Sequence, residues 1–299
     1  MTTHRWSAQD LPDLSGRTVV VTGASSGIGA ITAREMARAG AHVVLAVRDI
    51  AKGERVARDF AGSYEVRRLD LADLDSVREF ARAWDGDIGI LINNAGVMAI
   101  PQSRTKDGFE MQFGTNHLGH FALTNLLLPR VTDRVVTLSS PAHQLGKIDL
   151  RDLNWQTRPY RPWPAYCQSK LANLMFAYEL QRRVDAAGSS LRSYACHPGY
   201  SATNLQSHTG SRLQGALMAF GSKVIAQSDE MGALPTLFAA TQDLPGGRYV
   251  GPDGFLQMRG RPTVVGSTKA SKDAVVAAKL WDKSEELTSV SFPSQGRSR

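Results

Sequence analysis

The run "TVVVTGASSGIGA", residues 18 to 30, constrains the fold more than any other part of the chain. Val19, Val20 and Val21 are apolar on successive residues instead of alternate ones, as in a strand whose sheet is covered on both faces. The strand runs straight into Gly23, Gly27 and Gly29, and a helical pattern follows. Glycines at such a turn let the backbone take φ > 0 and approach a ligand closely, while the helix beyond offers free N–H groups to a pyrophosphate. The spacing is G-x-x-x-G-x-G, not the commoner G-x-G-x-x-G. Structural turns carry such glycines too. It is the position at the end of the first strand that points to a dinucleotide.

The rest of the chain repeats this unit. Short β-branched runs alternate with longer helical segments, which predicts parallel strands joined by crossover helices. Strands are expected at 17–22, 42–47, 64–69, 88–93, 134–139, 191–196 and near 248–250, with the longest helix at about 165–187. Two stretches break the rhythm. Residues 143–164 are rich in Trp, Arg and Pro and include Trp155 and Trp163; residues 201–227 carry Leu213, Leu217 and Phe220. Long excursions of this kind are often lids or binding loops, although the second reads equally well as a surface-packed helix.

Composition narrows the function class. Hydrophobic residues at 42% and charged residues at 21% suit a soluble globular protein, and no apolar run reaches the ~18 residues of a membrane span. The first fifteen residues lack the basic start and apolar stretch of a signal peptide, so the expectation is a cytoplasmic protein. The net charge of +7 is scattered, which argues against a nucleic-acid partner and suits an anionic cofactor. Cys167 and Cys196 read as free thiols. His117, His120, His143 and His197 lack zinc-ligand spacing, so no metal site is expected.

The end of the second strand bears on which nicotinamide cofactor is used. An acid there bonds a ribose 2′-hydroxyl, whereas an arginine accommodates a 2′-phosphate. Val47 ends the strand and Arg48 follows. Asp49 competes as the ribose acid, but it also reads as the N-cap of a helix starting near Ile50. The balance favours NADP over NAD.

Taken in order, "TGASSGIG", "NNAG" at 93–96, Asn116, the pair Ser139 and Ser140, and "YCQSK" at 166–170 resemble the short-chain dehydrogenase/reductase family. "SSPAHQLGKIDLRDLNW", "AYCQSKLANLMFAYEL", "CHPG" and "LWDKSEELT" resemble its retinol dehydrogenase-like branch, and the resemblance spans nearly the whole chain. It implies an α/β fold: one doubly wound Rossmann domain over 1–299, with a seven-stranded parallel sheet and helices on both faces. Residues 16–130 would form the dinucleotide half and 131–290 the catalytic and substrate half. A homodimer is compatible with this reading.

Carried over residue by residue, the resemblance makes Tyr166 the acid/base, Lys170 its partner, Ser140 the carbonyl anchor and Asn116 a relay. Gly23, Ser25, Ser26, Gly27, Ile28 and Gly29 become the phosphate turn. Asp70 and Leu71 fall where the family contacts adenine, Asn94 and Ala95 beside the cofactor ribose, and Thr203 at the carboxamide. Plain alternatives stand beside these roles: Asp70 and Thr203 as helix caps, Asn94 as a turn stabiliser, Ser140 as a cap with Ser139 as the anchor. Ser140 and Tyr166 are further apart in sequence than in many family members, because the Trp-rich stretch lies between them.

The residues themselves agree. Tyr166 and Lys170 are four positions apart and so share one helix face. A free tyrosine titrates near ~10, and a neighbouring ammonium is expected to lower it. The reading is an NADP(H)-dependent interconversion of carbonyl and alcohol on a bulky apolar small molecule. A non-catalytic NADP sensor and a reductase of conjugated double bonds are the alternatives.

Overall fold

In the computed structural model, which describes residues 5–199 and 228–293, successive residues of each inner strand go to opposite cores. Val19 and Val21 of β1 (Thr18–Thr22) face one apolar cluster and Val20 faces the other. Val43 and Leu45 of β2 (His42–Val47) likewise oppose Val44 and Ala46. This explains the unbroken apolar runs. On one face α1 (Gly27–Arg38) contributes Ala33, Met36 and Ala37. On the other, α3 (Leu74–Arg82) contributes Val77 and Phe80. Full burial of each large aliphatic or aromatic side chain stabilises by about 1.5–3 kcal/mol.

The remaining strands are β3 (Tyr64–Arg68), β4 (Ile88–Asn93), β5 (Val131–Leu138), β6 (Arg192–Cys196), β7 (Tyr249–Pro252) and β8 (Pro262–Val264). Their order is β3-β2-β1-β4-β5-β6-β7-β8. All neighbours run parallel except β8, which pairs antiparallel with β7. The expectation of seven parallel strands is therefore met and extended by a short antiparallel edge. The order reverses between β1 and β4, and ligands bind in the crevice outside the carboxyl ends of strands at such a switch point.

The helices α2 (Ile50–Ala57), α4 (Met111–Phe113), α5 (Gly119–Leu127), α6 (Pro162–Ala186), α7 (Asp229–Thr241) and α8 (Ala274–Thr288) complete the layers. Asp49 is the N-cap of α2, its carboxylate accepting the Lys52 N–H at 2.9 Å. Asp70 does not cap α3. Asp73 does, while Asp70 accepts the Ala72 N–H at 2.9 Å. Helix α6 starts at Pro162, earlier than expected, and is buried on most sides because α8 packs over it: the Phe176 and Trp281 rings stack at 5.5 Å and 13°.

The Trp-rich stretch is firmly packed. Asp152 accepts the N–H groups of Gln156, Thr157 and Arg158, and the Arg158 guanidinium lies 3.7 Å over the Trp155 ring. Trp155 is only 6% exposed, so it is a packing residue and not part of a cleft mouth. The second excursion, with Thr203, Leu213, Leu217 and Phe220, lies outside the described residues.

Gly119 opens α5 where the chain leaving β3 passes over it. A Cβ there would overlap the Leu71 carbonyl oxygen and stand 2.9 Å from Leu71 Cβ. Gly119→Ala is expected to destabilise by about 1–3 kcal/mol, the usual cost of overpacking, read as a lower midpoint in denaturant unfolding. An unchanged midpoint would show that the β3 turn gives way freely.

Candidate active site

The switch point is pinned by a buried hydroxyl. Thr22 Oγ1 accepts the N–H groups of Asn94 at 2.9 Å and Ala95 at 3.0 Å. Asn94 also donates its side-chain amide to the Thr22 carbonyl at 2.7 Å, so its turn-stabilising role is real. The same Thr22 hydroxyl lies 2.9 Å from His120 Nε2, while His120 Nδ1 is 3.0 Å from the Asn116 carbonyl. A carbonyl only accepts, so Nδ1 carries the proton and Nε2 accepts from Thr22. Burial pushes His120 down to about 4, which keeps that ring neutral. Neither Thr22 nor His120 stands out in the sequence as a site residue.

The glycine turn closes against this clamp. Gly23 has φ +67, and a Cβ on it would sit 2.8 Å from Ala95 Cα. Gly27 has φ +54, and a Cβ on Gly29 would collide with the Asn94 side-chain nitrogen. Ser26 is the N-cap of α1 but makes no capping side-chain hydrogen bond. The first N–H groups of α1 thus keep their donors for a ligand, and the bare glycines let the turn pack against Asn94 and Ala95. The residues present fit the pyrophosphate of a dinucleotide, which Ser25, Ser26, Gly27 and Ile28 would hold. Arg48 is exposed just past β2, and Leu71 is buried in the core.

Helix α6 carries the other candidate residues. Tyr166 and Lys170, one turn apart, are 7% and 5% exposed. Lys170 Nζ donates to the Leu138 carbonyl at 3.3 Å and lies 5.7 Å from the Tyr166 ring centre. Ser139 is a strut, its hydroxyl donating to the Lys170 carbonyl at 2.7 Å. Ser140, half-buried, caps the next turn through the Ala142 N–H at 3.2 Å, and its hydroxyl favours the ionised form of Tyr166. Trp163 is 42% exposed and meets Tyr166 edge-on at 6.1 Å.

Asn116 lies in a π-helical turn, Gly114–Leu118, a widening that often marks functional sites. Its amide pairs both ways with Val97, Oδ1 accepting at 2.8 Å and Nδ2 donating at 2.9 Å, and Nδ2 reaches Ser169 of α6 at 2.9 Å. Asn116 therefore brackets the turn after β4 against α6. A Cβ on Gly96 would stand 3.2 Å from Asn116 Oδ1 and 3.5 Å from Lys170 Nζ, so both groups converge on this bare glycine.

Burial governs the charges. It pushes Tyr166 up to about 12, with the Ser140 hydroxyl working against it, so the lowering expected from Lys170 and the positive cofactor ring together has to overcome desolvation. Burial also pushes Lys170 down to about 8. His117 bonds Ser284 at 2.9 Å and His197 bonds Gln257 at 3.2 Å, as ordinary structural histidines do. Among the described residues no group of His, Cys, Asp or Glu could hold a metal, and no helix is long and apolar enough to cross a membrane.

A glycine-rich turn at a switch point, in a fold that also buries a tyrosine and a lysine one turn apart on α6, fits an NAD(P)-dependent oxidoreductase. The profile of the short chain dehydrogenase family matches residues 17–214, and the chain belongs to that family, among its retinol dehydrogenase-like members. Human retinol dehydrogenase 13 is 44% identical over 94% of this chain and 87% of its own length. Mouse polyprenol dehydrogenase is 38% identical over 93% and 85%. Among solved structures, an uncharacterized Mycobacterium paratuberculosis protein is 56% identical with a TM-score of 0.85, covering 97% of this chain and 100% of that one. A Beutenbergia cavernae protein, provisionally described as an NAD(P) dependent gluconate 5-dehydrogenase with NADP bound at low occupancy, is 27% identical with a TM-score of 0.59, covering 77% and 91%.

The buried ammonium has a consequence for stability. Lys170 falls from 10.5 to about 8 on folding, so below pH 8 the fold bears the full cost of a buried charge. Between about 8 and 10.5 only the unfolded chain keeps the proton, and stability rises with pH across that window. Lys170→Met is expected to be more stable than wild type at pH 7, by on the order of 3 kcal/mol as an upper bound, with the gap closing towards about pH 10. Denaturant unfolding of both at the two pH values checks this. A gap that does not shrink would remove Lys170 as its source.

Proposed function

We propose that this chain interconverts a carbonyl and an alcohol on a bulky apolar substrate with NADP(H), using Tyr166 as the acid/base. The observation that carries the reading is the Tyr166–Lys170 pair on one face of α6, buried beside Ser140. NADP(H) bound at that turn would supply or accept the hydride. Ser140 donates a hydrogen bond that polarises the carbonyl oxygen, and Tyr166 gives a proton to the same oxygen as it gains charge. The phenol is protonated at neutral pH, as the acid role requires, and the phenolate left after proton transfer is the base for the reverse reaction. Lys170 and Asn116 hold this corner in place, and Asn94 and Ala95 border the cofactor ribose.

Retinol and polyprenol, for which two relatives are named, are long apolar alcohols, and the exposed edge of Trp163 beside Tyr166 suits such a chain. Tyr166→Phe is expected to fold, bind NADPH and lose about 100-fold to 10,000-fold of turnover. NADPH consumption with aldehydes of increasing chain length reads this out, and the Michaelis constant should fall with length as more apolar surface is buried. Wild-type rates in the variant would remove Tyr166 from the chemistry.

Arg48 supports the choice of NADP. A guanidinium forks onto a phosphate and finds no comparable anion on a bare ribose hydroxyl. Arg48→Ala is expected to weaken NADPH roughly 10-fold to 150-fold, corresponding to ~1.5–3 kcal/mol for a charge-assisted bond, with NADH nearly unchanged. Asp49→Ala should alter neither, since its carboxylate is spent on the Lys52 N–H. Fluorescence titration of both cofactors decides; a wild type that prefers NADH and loses it in Asp49→Ala would make Asp49 the ribose acid.

A further inference from the structure

The carboxyl end of β3 brings a second cation beside Arg48. Val47 of β2 and Arg68 of β3 are register partners, and the Leu69 N–H donates to the Val47 carbonyl at 2.8 Å. Adjacent strands lie about 4.8 Å apart, so Arg68 stands next to the strand end from which Arg48 departs. Parallel partners point to the same face. A Cβ on Gly53 in α2 would meet Val66 Cγ1 at 2.7 Å and Val47 Cγ2 at 2.9 Å, so α2 covers that face up to Val47 and Val66. Arg68, two residues beyond Val66, is exposed.

Arg48 and Arg68 are both exposed, and among the described residues neither guanidinium makes an ion pair or a side-chain hydrogen bond. Their neighbour differs. Arg67 forks onto Glu65 at 2.6 and 2.9 Å and lies 4.6 Å over the Trp84 ring. The adjacent acids lean on the backbone and form no ion pair with either arginine among the described residues: Asp49 accepts the Lys52 N–H and Asp70 the Ala72 N–H, each at 2.9 Å. Two guanidinium groups without ion pairs on adjacent strand ends repel each other, and a dianion between them turns that repulsion into attraction. A phosphate monoester carries about −1.5 to −2 near neutral pH and accepts guanidinium forks.

We infer that Arg68 is a second guanidinium of a 2′-phosphate site, acting with Arg48 to select phosphorylated dinucleotides. The inference rests on the NADP reading above and adds to it a specificity-determining residue on a different strand. A ribose with a free 2′-hydroxyl offers Arg68 no anion, so its contribution is differential.

The test is equilibrium titration of the full chain with NADPH, NADH and adenosine 2′,5′-bisphosphate, which carries the 2′-phosphate without a nicotinamide. The variants are Arg68→Ala, Arg48→Ala and, as a control for diffuse charge, Arg58→Ala at the exposed far end of α2. Arg68→Ala is expected to weaken NADPH and the bisphosphate roughly 5-fold to 20-fold, less than a buried charge pair because the site is wet, and to leave NADH unchanged. NADH binding itself reports that the variant is folded. Selective loss in Arg48→Ala with none in Arg68→Ala would overturn the role of Arg68 and leave the NADP reading intact. Equal losses in Arg58→Ala and Arg68→Ala would reduce the effect to net charge and overturn the site. A wild type that prefers NADH and ignores the bisphosphate would overturn both.

Discussion

Thr22 ends the first strand with its hydroxyl buried, and the carboxyl edge of the sheet is built outward from that oxygen. It receives the Asn94 and Ala95 N–H groups and gives its own proton to His120. Three backbone segments meet there: the strand entering the glycine turn, the turn after β4, and the helix behind Asn116. Gly23 can approach Ala95 as closely as it does because the two turns are tied together from below. A buried hydroxyl with fewer partners would leave two backbone donors unsatisfied, at roughly 1–3 kcal/mol each. The ligand crevice and the corner that holds Asn116 therefore share one anchor.

The second organising constraint is how deeply α6 is buried. The sheet covers one side and Trp281 of α8 covers another, and this sets the electrostatics of Tyr166 and Lys170. Desolvation disfavours both charged forms, raising the phenol and lowering the ammonium. A surface tyrosine and lysine at the same spacing would stabilise each other as an ion pair. Here the protein instead keeps the tyrosine protonated and brings the lysine close to neutrality, while the π-turn and Ser139 fix where α6 sits.

Legibility in the sequence follows how local each cause is. The parallel strands show because Val19 to Val21 or Val43 to Val47 need no distant partner to look buried on both faces. The glycine turn and the Tyr166–Lys170 spacing are local in the same sense. Strand β8 is three residues long and starts with Pro262, so it exists only through its pairing with β7. The π-turn at Asn116 differs from a helix by a single widened step that periodicity does not register. Trp155 looked like a rim residue, yet Arg158 and Tyr160 enclose it. The pKa of Tyr166 was read from its nearest cation, whereas the largest contribution is burial by residues scattered along the chain.

The carboxylates along this edge show how a chain with nearly balanced charges, 35 basic residues against 28 acidic, presents cations where an anion would bind. Asp49, Asp70, Asp73 and Asp107 all lie near the ends of β2 and β3 or the helices that follow, and each accepts a backbone N–H. Only Asp73 is also paired with a side-chain cation, Lys106 at 3.0 Å. Capping a helix occupies part of the acceptor capacity of a carboxylate and draws it toward the backbone. Asp49 and Asp73 thus stabilise the starts of α2 and α3, while Asp70 holds the turn between β3 and α3. Moving Asp49 or Asp73 off its cap would weaken a helix and shift a negative charge along this edge in the same step, which couples the stability of the edge to its electrostatics.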